Sequence, residues 1–142
     1  MKARRFAAAI ALAGLAAVAG CSSESGSTSH GPVARIERQG NGMESIVLSP
    51  VGASRIGVRT TVATASGAGT TVPYSALLYE PDGATAVYVN TEPLVYTRYI
   101  VVVGSIDGSL VRLSRGLQPG VKVVTVGAEE LLGVQNGVGE ET

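Results

Sequence analysis

Short apolar runs broken at close intervals by turn residues constrain this chain more than any other feature. Glu80-Pro81-Asp82-Gly83, Glu92-Pro93, Asp107-Gly108 and Pro119-Gly120 supply a fixed φ, a positive φ or both. The runs between them are rich in Val, Ile, Tyr and Thr, the residues that suit a pleated surface. Turn residues at roughly every 8 to 12 positions imply a mainly β fold, a small antiparallel barrel or sandwich of six to seven strands with one short helix.

Along the chain, Ser45 to Leu48 reads as a short strand. In SPVGASRIG, Ser49 can cap a helix, Pro50 fits its first position and Gly57 can end it in a left-handed conformation. Val58 to Ala65 alternates, with Val58, Thr60, Val62 and Thr64 on one face. A further strand is expected over Thr71 to Tyr79, with Val72, Tyr74, Ala76 and Leu78 on one side. Pro73 lacks an N–H, so this strand starts at an edge or pairs only after the proline. Ala86 to Asn90 follows, and Leu94 to Val103 is the longest β run, apolar on both faces near its end and therefore expected to be central. Asp107-Gly108 predicts a hairpin to Ser109–Leu113. Val121 to Val126 is the last strand, with Leu117 packed under the Pro119-Gly120 turn and Val124 on the inner face. Ala128 to Leu132 reads as one closing helical turn.

The first twenty residues carry Lys2, Arg4 and Arg5, then an apolar, Ala-rich run to Gly20, the pattern of a secretory signal. The run ends Val18-Ala19-Gly20-Cys21, which resembles the lipobox of bacterial lipoproteins. That resemblance implies a lipidated, diacylated Cys21 as mature N-terminus and membrane attachment through it on the extracytoplasmic face. Cys21 is the only cysteine, so no disulfide can form within one chain. Residues 21–42 are rich in Ser and Gly and read as a flexible tether with a reach of roughly 25 Å. The expected organisation is a signal peptide over 1–20, the tether over 21–42, a β domain over 43–135 and an acidic tail over 136–142.

The chain has equal numbers of basic and acidic residues, 11 of each, and loss of the basic signal segment would leave it acidic. That balance argues against nucleic-acid binding, which needs a basic field. No catalytic set stands out. The single histidine, His30, falls in the tether, where solvation is expected rather than metal ligation. No Gly-rich loop carries a lysine at phosphate-binding spacing, and the serines have no histidine to act as base. Asp82 and Asp107 precede glycines and are expected to bond local backbone in turns. The chain reads as a non-enzyme with no cofactor.

Two stretches carry a family signal. VPYSALLYEPDGATAVYV, followed by LSRGLQPGVKVVTVGAEELL, resembles the C-terminal portion of periplasmic adaptor proteins, or membrane fusion proteins, of resistance-nodulation-division (RND) efflux pumps. Val72, Pro73, Ala76 and Leu77 fit the family's first strand. Gly116, Leu117, Pro119, Gly120, Val123 and Val124 fit its closing turn and strand, with Gly127-Ala128 after them. The entry segment IVLSPVGASRIGVRTTVA is similar as well. The resemblance implies a membrane-proximal β domain. In full-length adaptors a barrel, a lipoyl-like domain and a long helical hairpin lie between the entry strand and the Val-Pro strand. Here only Ser66-Gly67-Ala68-Gly69 lies between.

The function implied is that of an adaptor-like accessory subunit docked on a membrane transporter, of RND or ABC type. The alternative is a free-standing envelope lipoprotein that binds a ligand or cell-wall component. All five tyrosines fall between Tyr74 and Tyr99. Arg98 is the one charge in the apolar run, so Tyr96, Arg98 and Tyr99 are expected to form an exposed partner-binding face.

Overall fold

A computed structural model describes residues 31–138. The expected signal segment, Cys21 and His30 lie outside the described residues, as does the end of the acidic tail.

The domain begins earlier than the composition suggests. Residues expected within the tether form strand β1 (Ala34–Arg38), paired along its whole length with β2 (Glu44–Leu48). Four of its five side chains are exposed, so no apolar periodicity marks it. Its order comes from backbone pairing and from ion pairs joining Arg35 to Glu37 and Arg38 to Glu44, both at 2.7 Å.

Helix α1 (Pro50–Ile56) follows the sequence rules closely. The Ser49 hydroxyl accepts the Gly52 N–H at 3.1 Å, and Gly57, at φ 69°, donates its N–H to the Ala53 carbonyl. The alternating run after it is two strands, β3 (Arg59–Val62) and β4 (Thr64–Ser66). Ala63 separates them by turning inward, where its N–H bonds Val121 O at 2.8 Å and its carbonyl accepts from Gly120 N at 2.7 Å. A larger side chain would not fit at that corner, since Ala63 is buried among the core valines.

β4 and β5 (Gly69–Pro73) form a hairpin in register Ser66↔Gly69. Its two-residue tip, Gly67-Ala68, has Gly67 at φ 59°, as a type II′ loop requires at its first position. The expected strand over Thr71–Tyr79 is interrupted. Pro73 ends β5 rather than starting it, because its fixed φ of −61° leads into a 3₁₀ turn, Tyr74–Ala76. A short β6 (Leu78–Tyr79) then pairs with β7 (Thr85–Glu92). β8 (Val95–Asp107), β9 (Leu110–Arg115), β10 (Lys122–Val126) and α2 (Ala128–Gln135) complete the chain. The ten strands among the described residues exceed the six to seven expected because bends divide two apolar runs and β1 adds another, and α2 is a second helix.

The strands pair in the order β3-β10-β7-β8-β9-β5-β4. Both ends of that path belong to one run of chain joined at Ala63, so the sheet is nearly closed into a barrel. Val72, Val87, Val101, Val111, Leu113 and Val123 fill it. A second core lies outside the barrel wall, where Ile46, Leu48, Tyr88, Tyr96, Val124 and Leu131 pack together. β7 serves both: Val87 and Val89 face the barrel, Ala86 and Tyr88 the outer core. β7 is therefore buried on both faces along most of its length, and β10 is so at Val123 and Val124. β8 holds the central pairing position, but Ile100 and Val102 on its outer face are exposed.

Candidate docking surface

Of the three residues expected to form an exposed face, the structure leaves none as a free projection. Tyr96 lies opposite Ile46 in the sheet and is only 6% exposed, its ring in the outer core. Burial there pushes its phenol above the ordinary value. The charge at Arg98 interrupts the apolar run for a structural reason. Its Nη1 donates to Glu80 Oε1 at 2.9 Å and Oε2 at 3.1 Å, tying β8 to the turn after β6. That turn is built as its sequence dictates: Gly83 takes φ 87° and Asp82 Oδ1 accepts the Ala84 N–H at 2.9 Å. Tyr99 points to the barrel side, half-buried, beside Leu117 and Val121. With Val89, Gly116 and Gln118 these line an open depression of about 490 Å³ at one end of the barrel. Its lining residues carry no convergent set of acids, bases or ligands.

Towards the other end the surface is aromatic and apolar. Tyr74 and Tyr79 are 43% and 57% exposed, and their hydroxyls share a hydrogen bond of 3.4 Å. That bond, with a smaller contribution from desolvation, raises the Tyr79 phenol above its usual range. The Tyr74 N–H donates to Ser109 O at 2.8 Å, which sets the tyrosine beside the turn joining β8 to β9. Every residue from Gly104 to Leu110 is exposed, so this hairpin stands clear of the barrel. Ile106 and Leu110 are each half exposed on it. Sequence reasoning placed Tyr74 on the same side of one strand as Val72, which is fully buried. The proline before it was the available signal, because Pro73 ends the alternation.

The second core carries its own polar tie. The Tyr88 hydroxyl donates to Gln135 Oε1 at 2.6 Å, and Gln135 Nε2 donates to Glu44 Oε2 at 3.3 Å, linking β7, α2 and β2. Burial pushes the Tyr88 phenol far up, opposed by the Arg98 charge. Hydrogen bonds from Arg38 and Gln135 hold the Glu44 carboxyl below its usual range. Tyr88 and Glu44 serve to seat α2.

The architecture defines a small non-closed barrel with an appended helix and an apolar rim. Residues 70–130 match the family model described as RND MFPs, C-terminal permuted SH3 domain. Over that span the chain is similar to the membrane-proximal domain of RND adaptor proteins, in agreement with the motifs on Val72–Leu77 and Gly116–Ala128. In the RND adaptors that domain is a non-catalytic one. No curated protein matches the chain.

Proposed function

We propose that this chain is a membrane-anchored, extracytoplasmic, non-catalytic subunit that docks on a membrane transporter of the efflux type. The family match carries the proposal, and it starts at Thr70, just past the Gly67-Ala68 tip. That position supports reading the hairpin as the place where full-length adaptors insert their further domains. Lipid attachment at Cys21 would hold the barrel near the bilayer. The exposed Tyr74–Tyr79 pair and the β8–β9 hairpin offer a partner the aromatic and apolar contacts that interfaces favour. Tyr96, Arg98 and Tyr99 contribute by holding β8 in place rather than by direct contact.

Photo-crosslinking in intact cells from positions 79 and 106 should capture a transporter subunit, and position 96 should capture none. Recovery of cell-wall polymer alone from those positions would favour the free-standing lipoprotein. For the anchor, Cys21→Ala should leave the precursor uncleaved and unlabelled by fatty-acid analogues; normal processing of that variant would end the lipid-anchor proposal.

A further inference from the structure

Strand β1 pairs only with β2 among the described residues, so its outer edge is open. The hydrogen bonds fix which backbone groups lie on that edge. Ser49 N donates to Val33 O and Gln39 N to Met43 O, while Leu48 N turns the other way, to Leu94 O beside β8. Bonded positions alternate along an antiparallel ladder. Residues 33, 35, 37 and 39 therefore bond towards β2, and the N–H and C=O groups of Ala34, Ile36 and Arg38 point outward.

We propose that this edge is self-complementary and that two copies of the chain pair through it, antiparallel and centred on Ile36. Three observations select the second copy as occupant. The outward groups are symmetric about Ile36, so a two-fold pair would close about six backbone hydrogen bonds. In that register Arg35 of each copy stands opposite Glu37 of the other, at the non-bonded positions where side chains approach most closely. A slip of two residues sets Arg35 against Arg35, or Glu37 against Glu37, so charge fixes the register. The third observation is apolar. Ile36 faces Ile46 across β1 and β2, and Ile46 is 1% exposed while Ile36 is 44% exposed. The row of isoleucines that starts in the outer core ends unfinished at the edge, and a second Ile36 would extend it. Charges on an edge strand ordinarily discourage pairing. Here opposite signs two residues apart permit one closed pair and disfavour other registers. The inference does not depend on the transporter role.

The test uses the full chain in mild detergent, followed by sedimentation equilibrium over a concentration series. Wild type should form dimers that weaken at high salt. Arg35→Glu alone and Glu37→Arg alone should each weaken the dimer at least about tenfold, because both cross-strand pairs become repulsive. Mixing the two single variants should restore association, since one copy then presents two acids and the other two bases. The double exchange, Arg35→Glu with Glu37→Arg, should dimerise like wild type. Mixing separates a contact between copies from the Arg35–Glu37 pair within one strand, which mixing cannot repair. Both side chains are exposed, and a circular dichroism melt of each variant checks that it folds. A wild type that stays monomeric at all concentrations overturns the proposal. So does a dimer that both reversals leave unchanged, or a mixture that stays apart.

Discussion

Gly116 and Gly120 sit four positions apart in the motif that resembles the adaptors, and both adopt positive φ, 100° and 93°. Their surroundings differ. A Cβ on Gly116 would strike the carbonyl oxygen of Ile100 and lie 2.7 Å from Val101 Cα, both backbone atoms of β8. A Cβ on Gly120 would meet nothing within 4 Å. Alanine at either site bears the conformational cost of an unfavourable φ, roughly 1–3 kcal/mol. At Gly116 the overlap must also be relieved by moving the central strand, and overpacking of that kind costs roughly a further 1–3 kcal/mol. Gly120→Ala should thus lose about 1–3 kcal/mol and Gly116→Ala about 2–6 kcal/mol. Against a total stability of roughly 5–15 kcal/mol, the second figure brings a small domain close to unfolding. Urea titration followed by circular dichroism measures both, and the melting temperatures should differ by about 5 °C or more. Equal losses would refute the reasoning, because they would mean that the Ile100–Val101 backbone yields freely and that only the φ matters.

Val124→Asp should unfold the domain. It removes a fully buried side chain contributing about 1.5–3 kcal/mol and leaves a carboxylate among Tyr88 and Leu131, so an unchanged melt would contradict the outer core. Tyr88→Phe should cost about 1 kcal/mol near neutral pH, the worth of its bond to Gln135. Because burial raises the Tyr88 phenol, its contribution is complete below the unfolded value near pH 10. It is lost as the pH rises further, where the unfolded chain ionises first. The variant should therefore lose stability less steeply above pH 10 than wild type, and parallel slopes would sink the assignment. Ten Gly/Ser residues inserted between Gly67 and Ala68 should be nearly neutral, since each doubling of a loop costs about 0.6 kcal/mol. A loss of several kcal/mol on chemical denaturation would show that the hairpin tip cannot accept an insertion.

What the sequence revealed and what it hid follow a physical division. Local rules acted where backbone geometry is set by one residue. Ser49, Pro50 and Gly57 bounded α1, and Gly83 and Gly108 take the positive φ their turns require. Val124 is fully buried, but in the outer core, since Val123 is the residue of β10 that faces the barrel, and Leu117 packs against the barrel core. Rules of periodicity failed where two cores share one sheet. Alternation states that Ala86 and Val87 face opposite ways but not that both faces are covered. β1 was hidden for a related reason: Ala-Arg-Ile-Glu-Arg has no buried stripe, and its pairing with β2 and its ion pairs order it.

The candidate site shows the same limit more sharply. A charge inside an apolar strand usually marks solvent, and on that ground Arg98 made Tyr96 look exposed. The structure resolves the charge through Glu80, 18 residues earlier, a partner no local pattern names. Once Glu80 holds Arg98, Tyr96 is free to lie inward beneath β2 and α2, and the exposed tyrosines are those at the turn and edge, Tyr74 and Tyr79. This separates two tasks along one strand. The first half of β8 is bound into both cores, whereas from Gly104 to Asp107 it has no buried side chain. On the proposed docking role, a partner would grip the projecting hairpin without disturbing the packing that Tyr96, Arg98 and Tyr99 maintain. Changes at Ile106 or Leu110 should accordingly alter docking while leaving stability intact, and changes at Tyr96 or Arg98 should do the reverse.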